Sequence, residues 1–237
     1  LDVVGVSIPA VGVIGDDDVG AELPNHLDHL ADHLVGVRVG VRVAEVTEPI
    51  EVGVGLIPGG GGLAYIARRA AEMAAAGNAN ADIFKFLTDG FTNAAMAKVG
   101  TSALESRKLG YLLDSDVIVP HKDELLFVAI NEAKSMAASG WRAPHKRLFP
   151  VAGRSGLATI KAQLVNMRDG GFISAYDFKI GAMIAEVVCG GDVDAGSMVS
   201  EEYLLTLERK VFCHLIAQPK THERILGMLS TGKPVRN

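Results

Sequence analysis

Residues 50–62, IEVGVGLIPGGGG, set a lone carboxylate, a short apolar run and a glycine turn side by side. Val52, Val54, Leu56 and Ile57 suit a buried strand, and the glycines between them allow a second backbone or a ligand to come close. Pro58 ends the run. Gly59 to Gly62 can take turn conformations closed to other residues. Leu63 to Ala76 then carries Leu63, Ile66, Ala67, Ala70 and Ala74 on one helical face. The glycines therefore fall at a helix N-terminus, where unpaired N–H groups and the positive end of the helix dipole favour an anionic or polarised oxygen. A plain strand-turn-helix corner is the alternative reading of the same residues.

Working outward, Val3 to Ile14 reads as one or two short strands broken at Pro9. Asp16, Asp17 and Asp18 form an acidic turn without the remaining pattern of a calcium loop. Asn25 to Leu34 reads as a short amphipathic helix, with Leu23, Leu27, Leu30 and Leu34 at helical spacing. His26, His29 and His33 share a face there. Without a further ligand they read as a solvated polar face, and no metal site is assigned. Val35 to Val43 alternates strictly, as in a half-buried strand.

On the other side of the glycine turn helix dominates. Helices are expected over Asp82 to Val99 and Lys122 to Ala138, with a short strand at Val117 to Val119. The second of these helices should bury Leu125, Leu126, Ala129, Ile130 and Ala133. WRAPHKRLFPVAG (141–153) reads as a connector because of its two prolines and absent periodicity. Its Arg142, His145, Lys146 and Arg147 suit either a phosphate, such as that of a CoA nucleotide, or solvent. Four helices follow, with Ser155 capping the first, Ser174 and Asp177 at capping-box spacing, Ser200 opening the third and Pro219 starting the fourth. Their apolar stripes, including Leu204, Leu207, Val211 and Leu215 on the third and Ile225, Leu226 and Leu229 on the fourth, imply packing.

The 237 residues carry a net charge of −5, and both signs are dispersed along the chain. This argues against nucleic acid as a partner and gives no polybasic membrane patch. No apolar run approaches the length of a membrane span. Cys189 and Cys213 form no metal-like pair and suit reduced, buried thiols in the cytoplasm. The chain opens on Leu1 in an apolar segment, which suggests a fragment of something longer.

Glu51 followed by the apolar run and the Pro-Gly-Gly-Gly-Gly turn resembles the second catalytic segment of the crotonase superfamily. SALESRKLGYLLDSDVIV (102–119) resembles the A-x-x-A-x-x-x-G-L-V element of that family, through Ala103, Ser106, Gly110, Tyr111 and Leu112. Residues 51–237 as a whole, including AGRSGLATIKAQLVNMRDGGFIS and STGKPVRN, resemble the C-terminal part of bacterial bifunctional 3-hydroxyacyl-CoA dehydrogenase/enoyl-CoA hydratases.

The resemblance implies an α/β, partial crotonase-like (ClpP/crotonase) fold with a helical C-terminal extension. Its parts would be an incomplete or divergent region over 1–50, a core segment over 51–140 and the extension over 141–237. It implies an enoyl-CoA hydratase of fatty-acid β-oxidation, adding water to a trans-2-enoyl-CoA thioester to give a 3-hydroxyacyl-CoA, and it implies a homo-oligomer. Glu51 would be one of two catalytic carboxylates. The glycine-rich motif that should carry the other is missing, and Glu22 is the nearest substitute. The hydratase step needs no cofactor, and NAD would belong to a longer parent protein. Two further readings stay open. One is a catalytically incomplete fragment serving packing or oligomerisation. The other is an NAD-binding 3-hydroxyacyl-CoA dehydrogenase unit, because Gly59, Gly61 and Ala64 fit G-x-G-x-x-G/A, with Gly60 between them in the turn.

Overall fold

The computed structural model describes residues 4–7, 42–44, 50–77, 82–98, 100–142 and 145–237. Glu22, the Asp16–Asp18 turn and the His26, His29 and His33 face lie outside them. In chain order the described elements are β1 (Val4–Ser7), β2 (Arg42–Ala44), α1 (Ile50–Gly53), α2 (Gly62–Gly77), α3 (Ile83–Ala95), α4 (Ala103–Lys108) and β3 (Val117–Val119). A 3-10 turn (Lys122–Glu124) leads into α5 (Leu125–Ala138), followed by β4 (Phe149–Pro150), α6 (Gly153–Asp169), α7 (Ala175–Val188), β5 (Met198–Val199), α8 (Glu201–Ile216) and α9 (Pro219–Thr231). The described chain is thus mostly helical with two small sheets, an α/β composition in the general sense. It divides into two compact units, one from 1–46 with 100–145 and one from 47–99 with 146–237.

In the first unit β1 is central to an antiparallel sheet of order β2-β1-β3, with Gly5 opposite both Ala44 and Ile118. Ser102 caps α4 by accepting from the Glu105 N–H. Arg107 ties the next turn together, donating to the carbonyls of Leu113 at 3.1 Å and Asp116 at 2.7 Å. The stripe expected on α5 is largely outside: Ala129 is its buried residue, whereas Leu126, Phe127 and Ile130 are exposed.

In the second unit α2 is the central rod. Its alanines let neighbouring helices approach closely, and they face two ways. Ala64, Ala67 and Ala71 pack with Phe149, Val151, Val199 and Leu204. Leu63 and Ala70 belong to a larger core with Leu87, Ile160, Ile180, Ile184 and Leu215. The caps of this unit follow local sequence. Ser174 and Asp177 form a reciprocal capping box on α7, Ser200 caps α8, and Pro219 occupies the first turn of α9. Ser155 is not a cap; α6 begins after Ala152, and the Ser155 hydroxyl donates to the Ala152 carbonyl.

Three expectations change. The run Val52 to Ile57 is no strand: Ile50–Gly53 is a helical turn, and the following residues are irregular. The four apolar side chains are nevertheless all buried, so burial was readable from composition while conformation was not. The connector 141–153 contains β4, paired with β5 through Phe149 opposite Val199. On α9 the expected inward residues Leu226 and Leu229 are exposed, and Thr221 and Arg224 are fully buried in their place.

Candidate functional site

The segment from Glu51 to Gly62 is held at both ends by buried polar groups from α8 and α9. At the glycine end, Gly61 takes a left-handed conformation with φ of 94°, which glycine adopts without a Cβ clash. Its N–H donates to one carboxylate oxygen of Glu208 at 2.7 Å, and the Ala64 N–H donates to the other at 3.1 Å. Glu208 is 1% exposed. The anion expected at this helix N-terminus is therefore present, and it is a side chain of the protein itself. The N–H groups and the α2 dipole both favour the ionised carboxylate there.

Side chains one turn before and after Glu208 on α8 complete the seat. A Cβ on Gly59 would lie 2.8 Å from the Phe212 ring, and one on Gly61 would lie 3.2 Å from Leu205. Gly60 is exposed with open space around it. The bare backbone of the turn is thus occupied by α8.

At the other end Gly55 is also left-handed, with φ of 88°. Its carbonyl accepts from the Thr221 hydroxyl at 3.0 Å, which is joined to the Tyr176 hydroxyl at 2.6 Å. The Arg224 side chain runs beside Gly55, where a Cβ would lie 3.2 Å from its Cδ. The Arg224 guanidinium is itself fully buried. It donates to Asp177 at 2.9 Å and Asn237 Oδ1 at 2.8 Å, and it lies 5.0 Å from the centre of the Tyr176 ring. Arg236 adds a second bond to Asp177 at 3.1 Å. Burial pushes the Asp177 carboxyl upward, but the bonds from Arg224 and the Ser174 N–H outweigh it and hold the group below its ordinary range.

The other candidates are dispersed. Glu51 is half-buried in α1, and its carbonyl accepts from the Leu56 N–H at 2.7 Å. Lys146 pairs with Glu202, whereas Arg142, His145 and Arg147 gather no phosphate-like cradle among the described contacts. Cys189 is buried as expected, which pushes its thiol up to about 12, whereas Cys213, also expected inside, is exposed. Among the described residues no group of His, Cys, Asp or Glu could hold a metal ion. No helix among them is long and apolar enough to cross a membrane. A shallow groove of about 410 Å³ lies between Asp82, Phe84, Ser155, Thr159 and Gly196. Its polar groups are engaged locally: Asp82 caps α3, and the Ser155 and Thr159 hydroxyls donate to backbone carbonyls.

Sequence reasoning missed Glu208 and Arg224. Each is a charge inside a stripe that packs inward, Glu208 four residues from Leu204 and Phe212, and Arg224 three from Thr221. That placement was the available signal.

The chain is similar to a protein of Bacillus subtilis (strain 168) named "Probable 3-hydroxyacyl-CoA dehydrogenase", with 39% identity over 193 residues. The match covers 79% of this chain and 23% of the relative, so the chain spans about a quarter of the relative's length. No family model and no solved structure matches it. The similarity overturns the enoyl-CoA hydratase identification made from the crotonase resemblance, because the relative is named for the dehydrogenase. The lyase and crotonase assignments of residues 51–237 are withdrawn with it.

Proposed function

We propose that the chain is a segment of an oxidoreductase of the 3-hydroxyacyl-CoA dehydrogenase kind, which converts a 3-hydroxyacyl-CoA to a 3-oxoacyl-CoA with NAD as oxidant. The observation that carries this reading is the 39% identity extending over 79% of the chain. The whole reaction is asked of the whole protein. From this chain the reading asks only for a share in holding the acyl-CoA thioester. The free cysteines support a reducing cytoplasmic setting. Exposed Leu226 and Leu229 on α9 support a homo-oligomer.

NAD does not fit the turn that suggested it. A dinucleotide-binding unit brings a strand into a glycine turn and offers the helix N–H groups to the pyrophosphate. Here a helical turn and irregular chain precede the glycines, and the Gly61 and Ala64 N–H groups already meet Glu208. No step through the cofactor is assigned to these residues. With hydration withdrawn, Glu51 and Glu22 are left without a step as well.

The test is equilibrium binding of 3-hydroxybutyryl-CoA to the purified chain. Saturable binding that free CoA competes away is expected. Absence of saturable binding to a folded sample sinks the proposed role of this chain.

A further inference from the structure

The Gly59–Gly62 turn has the ingredients of an anion site: a left-handed glycine, the N-terminus of a sixteen-residue helix and inward-facing N–H groups. The independent observation is what fills it. Glu208 arrives from α8, 147 residues away from Gly61 in the chain, and spreads its two oxygens over two N–H donors as a ligand carboxylate or phosphate would. We infer that this turn is an anion cradle closed by the protein's own Glu208, and that it serves as the joint between α2 and α8 and not as a nucleotide site. Any NAD held by a protein carrying this chain has its pyrophosphate bound elsewhere.

Displacement of Glu208 by an incoming phosphate is opposed on three sides. The carboxylate is buried, so leaving its donors would strand a charge in the interior. Leu205 and Phe212 flank it and stand against Gly61 and Gly59, where the phosphate would enter. The incoming group would also carry the same sign of charge. The joint is equally specific in the other direction, because the two N–H groups would lose their acceptor if α8 moved away. The inference stands whether or not the chain binds an acyl-CoA, since the thioester assay does not probe the turn.

Two measurements test it. The first is NADH titration of the full chain, followed by nicotinamide fluorescence, with Gly60→Asp alongside. Gly60 is exposed and has room for a side chain, so the variant puts a negative charge at the turn without disturbing the packing. Either no NADH binding or binding unchanged by Gly60→Asp is expected. Binding weakened about tenfold or more by that substitution overturns the inference.

The second is chemical rescue. Glu208→Ala vacates the cradle, and formate should then raise its melting temperature while leaving that of the parent chain almost unchanged. A folded Glu208→Ala protein no more responsive to formate than the parent overturns the cradle. If that variant does not fold, Glu208→Gln keeps the shape of the side chain and removes its charge. A fall in melting temperature of about 5 °C is expected. A melting temperature equal to the parent's overturns the joint.

Discussion

Glu208 and Arg224 are both charged side chains with essentially no exposure, and they steady opposite ends of the same segment. They are stabilised in different ways. Arg224 meets a side chain of opposite charge, Asp177, and completes its shell with Asn237 and the face of Tyr176. Glu208 meets backbone N–H groups at a helix start. The first arrangement depends on other side chains, one of them titratable. The second depends on where the main chain runs. A buried charge can therefore anchor a fold through an oppositely charged side chain or through backbone N–H groups at a helix start.

Removing the guanidinium should have the largest effect. Arg224→Ala leaves Asp177 with Arg236 and the Ser174 N–H, strips a donor from Asn237 and opens a cavity beside Gly55. A loss of about 3–5 kcal/mol is expected, read as a lower urea midpoint. A loss under about 1 kcal/mol would remove Arg224 from the comparison. Next comes Gly59→Ala, which drives a Cβ against the Phe212 ring and should cost about 1–3 kcal/mol, while Gly60→Ala should stay within about 0.5 kcal/mol of the parent. Equal effects at the two glycines would mean that α8 does not seat on the turn as described.

The acid response should be smaller and falls on the Arg224 side. The folded Asp177 carboxyl lies below its ordinary value of 3.8. The unfolded chain therefore binds that proton more readily. The stabilisation is fully present above the unfolded pKa and is lost as pH falls through the folded one. Urea midpoints measured from about pH 6 down to about pH 3 should fall less steeply for Asp177→Asn than for the parent. Parallel slopes would discard Asp177 as the acid-sensitive member.

The long helices and several of their starts were legible because their signals are local. Ser174 with Asp177, Ser200 and Pro219 sit within a few residues of the N–H groups they serve. The strand expected over Val52 to Ile57 failed for a related reason. Six residues of alternating apolar and glycine character record burial, and a turn of helix followed by a left-handed Gly55 buries the same side chains. The stripe on α9 misled because hydrophobicity was taken as the guide to its inward face. That face is Thr221 and Arg224, whose polar atoms find partners on Gly55, Tyr176 and Asp177. As for the candidate site, the sequence showed an anion-favouring turn. It could not show the occupant, because nothing near Gly61 refers to a residue 147 positions away.

The alanines of α2 have a mechanical consequence. Ala64, Ala67 and Ala71 line one hydrophobic cluster, while Leu63 and Ala70 line the other. The helix is a party wall, thin and shared by the rooms on either side. An added methyl on one side has little slack to absorb it before the wall presses on its neighbour. The two clusters should therefore fail together, as one cooperative transition.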